Sequence, residues 1–312
     1  MKNLHSCAKV STPLVSIVIF VRNEVKYIAQ TIESVLDQDY PAIEIHVQDG
    51  GSTDGTVDVI KQYPVKWISE ADRGQGDAGN RGFSATKGEI VIFLPGDDLL
   101  LRGSIKRIVD TFLEHPDAGF VYGDVEVIDG FGRAYSTMRG EVFDLDKLFW
   151  RMIVPTQSVA SRRSALKQVG GYRTDILCID WDLWLRLGAK YKSIYIPKLI
   201  AQYRSHDGSS SLNYASFMSR SICMVADTLL SDPAIASRLR YGVPRACAGS
   251  YLTAALVAVL ASEMPRAWSL YFKAISHYPK ALLMARGVNA LAGLLMGPKL
   301  YWRVRNRGRR KS

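Results

Sequence analysis

Short apolar runs alternating with helical periodicities organise the first two thirds of this chain. Val15-Ser16-Ile17-Val18-Ile19-Phe20 follows Pro13 and is rich in β-branched residues, so it predicts a first strand. Ile28, Ile32, Val35 and Leu36 fall at helical spacing and predict a helix from about Val25. Alternation of Ile43, Ile45 and Val47 predicts a second strand ending at Gln48. Helix Thr56–Gln62, strand Val65–Ile68 and a Gly-rich segment turning helical near Asp77 follow. The run Ile90–Leu94 then reads as a fully buried strand that stops at the turn signal Pro95-Gly96 and delivers Asp97 and Asp98 to the sheet edge. Strands alternating with helices predict an α/β fold with a mainly parallel sheet.

Further on, the pattern predicts a helix Ser104–Glu114, a strand Phe120–Ile128 and a hairpin turn at Gly130-Phe131-Gly132. Helical patterns cover residues 141–153 and 161–169, with Arg162 and Arg163 read as a solvated helix start. Another helix begins at Asp180, Ser193–Ile196 is a short strand, and Tyr203–Ser211 is a polar loop. From Tyr214 the pattern is helical, broken at Pro244, Pro265, Pro279 and Pro298. This divides the chain into a catalytic α/β domain, 1–213, and a helical C-terminal region, 214–312.

Charge sharpens that division. Residues 215–312 hold 15 Lys/Arg against Asp227, Asp232 and Glu263, whereas residues 1–214 hold 25 basic and 27 acidic residues. The net +10 therefore comes from the basic last third. Cys7, Cys178, Cys223 and Cys247 are far apart, which argues against a zinc site or disulfide framework and fits a reducing compartment. Residues 1–12 lack the apolar core of a signal peptide, and no apolar stretch is read as long enough to span a membrane.

Three places can carry chemistry. Asp97 and Asp98, hard oxygens at a strand's carboxyl end, suit Mg²⁺ or Mn²⁺ with phosphates; the alternative is a solvated turn ahead of the Ser104 helix. Asp49-Gly50-Gly51-Ser52-Thr53-Asp54 delivers a carboxylate into a Gly-rich turn, where Asp49 accepts from a nucleobase or ribose, or the segment is simply a capped helix entry. Asp180 and Asp182 open a helix, one as cap and one as chemical group.

The collinear series Asn23-Glu24, Gln38-Asp39-Tyr40-Pro41, Asp49–Thr56, Gly74–Gly82, Lys87-Gly88-Glu89-Ile90, Leu94–Asp98, Gly170-Gly171-Tyr172 and Asp180–Arg186 resembles the family-2 glycosyltransferases, over roughly residues 13–211. The resemblance implies a GT-A (Rossmann-like) fold and inverting transfer from a nucleoside-diphosphate sugar, UDP or dTDP above others, to a glycan or lipid-linked acceptor in surface-polysaccharide assembly. It implies that Phe20, Arg22, Glu24, Asp49 and Asp77 line the nucleoside pocket. Asp97 and Asp98 then hold metal and donor, with His206 as a further ligand. Asp180 becomes the base, Gln157 faces the acceptor, and Arg204 and His206 contact the diphosphate. Trp181 and Trp184 read as packing residues, with stacking of Trp181 on an acceptor sugar as the alternative. Three positions depart from the family pattern: Gly50 and Ile179 stand where acidic residues are common, and Pro95 where Asp or Asn is. In the predicted sheet Asp49 lies one strand end from Asp97.

The tail 299–312 carries seven Lys/Arg with Tyr301 and Trp302 and no acid. It reads as a peripheral contact with the cytoplasmic face of a membrane, helped by Leu291–Met296, in preference to nucleic-acid binding or a free soluble tail.

Overall fold

A computed structural model describes residues 12–206 and 215–306, with side chains to Tyr301. The first half follows the alternation of the sequence. β1 (Val15–Val21) lies between β2 (Ile43–Asp49) and β4 (Ile90–Pro95), and β3 (Lys66–Ser69) lies outside β2, all four parallel. Alternate residues of β1 serve different layers, as a strand's period of two requires. Val15, Ile17 and Ile19 pack with Ile28, Ile32 and Val35 of α1 (Ile28–Leu36). Val18 and Phe20 face the other way, in one cluster with Ala78 of α3 (Gln75–Ser84). Between these two helices in sequence sits the short α2 (Thr56–Ile60).

Beyond β4 the sheet is mixed. β5 (Leu99–Leu100), α4 (Ser104–Glu114), β6 (Ala118–Ile128), β7 (Ala134–Met138), α5 (Leu145–Trp150), β8 (Ala160–Arg162), α6 (Arg163–Val169), α7 (Ile179–Lys190) and β9 (Lys192–Arg204) follow. The nine strands run β3-β2-β1-β4-β8-β6-β9-β5, with β7 on β6. β8 bridges β4 and β6 antiparallel to both. β5 pairs antiparallel with β9, Leu99 opposite Gln202 and Leu100 opposite Ala201.

Several expectations are corrected. The segment expected to be helical from residue 161 opens with strand β8. β9 runs on to Arg204, so Tyr203 and Arg204 leave the predicted loop and enter the sheet. The rest of that loop from Asp207, with Met1–Ser11 and the tail from Arg307, lies outside the described residues. β1 separates β2 from β4, so Asp49 stands two strands from Asp97. Arg162 and Arg163 are not a solvated helix start. Arg162 Nε donates to the Ala118 carbonyl (2.8 Å) and Nη2 to that of Phe112 (3.0 Å). Arg163 donates to the carbonyls of Gly88 (2.5 Å) and Phe83 (3.0 Å) and to Ser16 Oγ and Thr86 Oγ1. Backbone carbonyls between packed layers need donors, and two guanidiniums supply them.

The C-terminal helices are α8 (Ala215–Leu230), α9 (Pro233–Ala236), α10 (Gly242–Leu260), α11 (Met264–His277) and α12 (Ala285–Asn306). α10 is long and apolar enough to cross a membrane by length and composition, contrary to the expectation that no stretch is. Most of it is buried, with Ala246, Leu252, Ala255 and Val259 in one core with Trp150 of α5 and Leu183 and Trp184 of α7.

Arg163→Ala leaves several of these acceptors without a donor. Unfolding stability should fall by about 2–3 kcal/mol, read as a lower urea midpoint at unchanged slope, and Arg163→Lys should not restore it because an ammonium cannot span the acceptors.

Candidate functional site

The site forms where three loops meet at the carboxyl edge of the sheet. The first follows β1. Asn23 takes a left-handed φ of 57°. Its N–H donates to Ser52 Oγ (2.7 Å), the Glu24 N–H to Thr56 Oγ1 (2.9 Å) and the Val25 N–H to Asp54 Oδ2 (3.0 Å). In return Asn23 Oδ1 accepts from the Thr53 N–H. The hydroxyls and carboxylate of Ser52-Thr53-Asp54-Gly55-Thr56 thus fix the backbone that presents Glu24.

The second loop is Gly96-Asp97-Asp98, and the third is the end of β9. Because β5 follows Asp98 directly and pairs with β9, Arg204 and His206 arrive beside the two aspartates. Asp98 Oδ1 accepts the Arg204 N–H (2.8 Å), and Arg204 Nε donates to the Asp97 carbonyl (3.0 Å). Arg204 Nη2 donates to Gln30 Oε1 (2.7 Å), and its guanidinium lies 4.7 Å from the centre of the Tyr27 ring. Tyr27 also meets the His206 ring, centroids 4.8 Å apart. His206 Nε2 meets Asp97 Oδ2 at 3.0 Å.

As a result, ligand atoms of Glu24, Asp97 and His206 lie within 4.8 Å of one another, and among the described residues they form the group able to hold one metal ion. Two carboxylates and an imidazole fit a divalent ion of the Mn²⁺ or Mg²⁺ kind. Burial, then the neighbouring Asp97 charge, pushes the Glu24 carboxyl up to about 7, while His206 acts the other way. The spacing and donor types of Glu24, Asp97 and His206 fit a bound divalent ion.

Asp98 is elsewhere. It is 1% exposed, and burial raises its carboxyl well above the usual range, with the Asp97 charge adding to the effect. Its partners are the Arg204 N–H and the Gln157 side chain. Asp98 anchors the β9 end and stands outside the three-ligand group, and Gln157 is held by it. Arg204, 1% exposed, is a buried strut between Asp97, Asp98 and Gln30 and not a diphosphate contact at the surface. Trp181 belongs to the core: its Nε1–H donates to the Leu148 carbonyl (2.8 Å) and its ring meets Phe149 edge-on, so no face is open to an acceptor sugar.

Asp180 and Asp182 separate cleanly. Asp182 is fully buried and chelated by Arg186 Nε (2.8 Å) and Nη2 (2.5 Å), and Arg186 also donates to the carbonyls of Val169 and Gly171. Asp180, partly buried, accepts from Tyr172 Oη (3.0 Å). Burial pushes its carboxyl up to about 6, opposed by the Tyr172 hydroxyl. The Tyr172 ring lies 4.7 Å from that of Phe93 in β4, which ties the α7 start to the strand that delivers Asp97.

The expected nucleoside residues are dispersed. Phe20 is 7% exposed within the core, and Arg22 is exposed. Asp77 is held by the Arg73 N–H and by Arg81, and these donors lower its carboxyl. Asp49 is fully buried, its oxygens taken by the N–H groups of Gly51 and Ser52 and the hydroxyls of Ser52 and Ser69. A Cβ on Gly50 would sit 2.2 Å from Asp72 Oδ2. The Asp72 carboxylate, from another loop, therefore occupies the space that a side chain at position 50 would enter. Sequence reading missed Asp72, Tyr27, Gln30 and the pairing of Tyr172 with Asp180. Only Tyr172 carried a signal, through Gly170-Gly171-Tyr172.

A model of glycosyl transferase family 2 matches residues 16–170. The chain is 30% identical over 223 residues to an uncharacterized glycosyltransferase of Nostoc sp., covering 65% of this chain and 68% of the relative. Among solved structures it is similar to S. aureus TarS 1–349 in complex with UDP-GlcNAc, with a TM-score of 0.67 at 17% identity over 94% of this chain and 92% of that one. It is also similar to the mannosyltransferase PcManGT from Pyrobaculum calidifontis in complex with GDP-Man and Mn²⁺, with a TM-score of 0.58 at 20% identity over 92% and 87%. These likenesses define the sheet as a GT-A fold with a helical C-terminal region. The chain belongs to glycosyltransferase family 2.

The Asp180 shift has a consequence for stability. A carboxyl raised on folding costs stability once pH passes its unfolded value, increasingly up to the folded value near 6 and fully above it. Asp180→Asn keeps an acceptor for Tyr172 and removes that charge. The variant should gain on the order of 1–3 kcal/mol at pH 8 and nothing below about pH 4, measured as denaturant midpoints across pH.

Proposed function

We propose that this enzyme transfers a sugar from a nucleoside-diphosphate sugar to an acceptor hydroxyl with inversion, using a divalent ion held by Glu24, Asp97 and His206. The observation that carries the reading is the convergence of these three ligands beside the strand end. Bound there, Mn²⁺ or Mg²⁺ supplies positive charge against the diphosphate leaving group. Asp180, held by Tyr172, takes the acceptor proton as the hydroxyl attacks the anomeric carbon, and a single displacement inverts that centre. A carboxyl brought to about 6 is ionised at neutral pH yet basic enough to share a proton in the transition state. The Asp49 turn and Asp72 give the nucleoside end its carboxylates. UDP or dTDP sugars are the donors in this reading, and a glycan or lipid-linked acceptor in surface-polysaccharide assembly on the cytoplasmic side completes it. TarS bound to UDP-GlcNAc and PcManGT bound to GDP-Man and Mn²⁺ support a nucleotide-sugar donor.

A thermal-shift screen of nucleoside-diphosphate sugars with and without Mn²⁺ tests the reading, since a ligand that binds only the folded state raises Tm. His206→Ala and Asp97→Asn should abolish the Mn²⁺-dependent part of the shift. Asp180→Asn should keep it while lowering kcat for transfer by about 10²–10⁴-fold. Donor binding with no transfer by the parent enzyme would instead support a nucleotide-sugar-binding protein. Transfer that survives both Asp97→Asn and Asp180→Asn would refute the mechanism.

A further inference from the structure

The C-terminal α12 departs from the rule that a surface helix is apolar on one face only. Ala290 and Leu294 are buried against the bundle, at 0% and 4% exposure. The opposite face is apolar too, and open. Val288 and Leu295, one heptad apart, are 53% and 72% exposed, and Met296 beside them is 41% exposed. Just before the helix, Leu282 and Leu283 are 43% and 89% exposed. Between Ala285 and Met296 the one charged residue is Arg286. A helix apolar all round is found buried or against lipid.

The helix is broken where the apolar stretch ends. Gly297 adopts a left-handed φ of 72° ahead of Pro298. The chain turns there, so that the Tyr301 ring lies within 3.4 Å of the space above Gly293. Tyr301 thus packs back against the helix and is partly buried. Leu300, 51% exposed, extends the open surface past the kink. The charge of the region has one sign. Residues 264–312 contain eleven Lys/Arg and no Asp or Glu.

We propose that this surface, formed by Leu282, Leu283, Val288, Leu295, Met296 and Leu300 in a stretch of sequence whose charges are all positive, docks on an anionic lipid bilayer. Exposed apolar side chains supply insertion at the headgroup boundary, and cations supply attraction to acidic lipids. The same charge opposes the other occupants. A second copy would bring eleven like charges against eleven, which disfavours a self-complementary interface. Nucleic acid would satisfy the cations and leave the leucines in water. The proposal is independent of the transfer chemistry, because it uses no residue of the site.

The test uses the full-length protein and sedimentation with vesicles of phosphatidylcholine alone or mixed with phosphatidylglycerol. The parent protein should pellet with the mixed vesicles and stay in solution with the neutral ones. Raising salt from about 0.1 to about 1 M, which shortens the screening length from about 10 to about 3 Å, should release much of it. Leu283→Asp with Leu295→Asp should lower partitioning by about tenfold or more, since each change removes an inserting side chain. Both residues are exposed, so the urea midpoint and donor thermal shift of the double variant should match the parent. Equal partitioning of parent and variant would overturn the proposal, as would no binding to acidic vesicles. A parent dimer by light scattering that the double variant converts to monomer would assign the surface to self-association and overturn it as well.

Discussion

The pairing of β5 with the end of β9 is the constraint on which the site depends. It is only two residues deep, yet it brings position 204 to position 98 across more than a hundred residues of chain. A two-residue ladder is weak by itself. What fixes it is a buried polar network: the Asp98 carboxyl, the Arg204 N–H and guanidinium, the Asp97 carbonyl, Gln30 and Gln157. A buried arginine is tolerable only when its donors are matched, and here they are matched by groups of three separate segments. Satisfying Arg204 therefore also sets the spacing between Asp97 and His206.

The same economy explains the division of labour between adjacent acids. Asp97 and Asp98 differ by one position, so a chain leaving a strand presents them in different directions. One meets His206 and Glu24, and the other turns into the protein and meets backbone. At the start of α7 the contrast recurs in the partners: Asp182 is paired with Arg186, while Asp180 accepts from the neutral Tyr172 hydroxyl.

Much of this was legible in the sequence, and the failures have physical causes. The strands β1, β2 and β4 were readable because their apolar periods reflect burial, and Ser104–Glu114 because its period and turn signals coincide. β8 was not, since three residues, Ala160-Ser161-Arg162, carry no period. The length of β9 was hidden by Pro197 and by polar residues facing outward. For the site, residue type singled out Asp97, Asp180 and His206 as candidates, but it carries no information about burial. Arg204 was therefore read as a ligand contact although it is a strut, whereas Trp181 packs in the core as its residue type favours. Asp72 was invisible for a different reason: its place is defined by the space above Gly50, twenty-two residues away, and no local pattern encodes that.

The last third of the chain is tied to the chemistry by packing. Leu183 and Trp184 of α7 share their cluster with Trp150 and with the buried residues of α10 and α11. Asp146, at the start of α5, accepts the N–H groups of Arg240 and Tyr241, so the segment leading into α10 is clamped to the sheet domain. Close-packed interiors transmit displacement without absorbing it. Whatever surface α12 rests on thus acts on the same body that carries Asp180. A protein held there would keep the orientation of its acceptor side fixed relative to that surface. Ala290 and Leu294 on the inner side of α12 and the residues flanking Asp180, Ile179 and Trp181, lie in one continuous core.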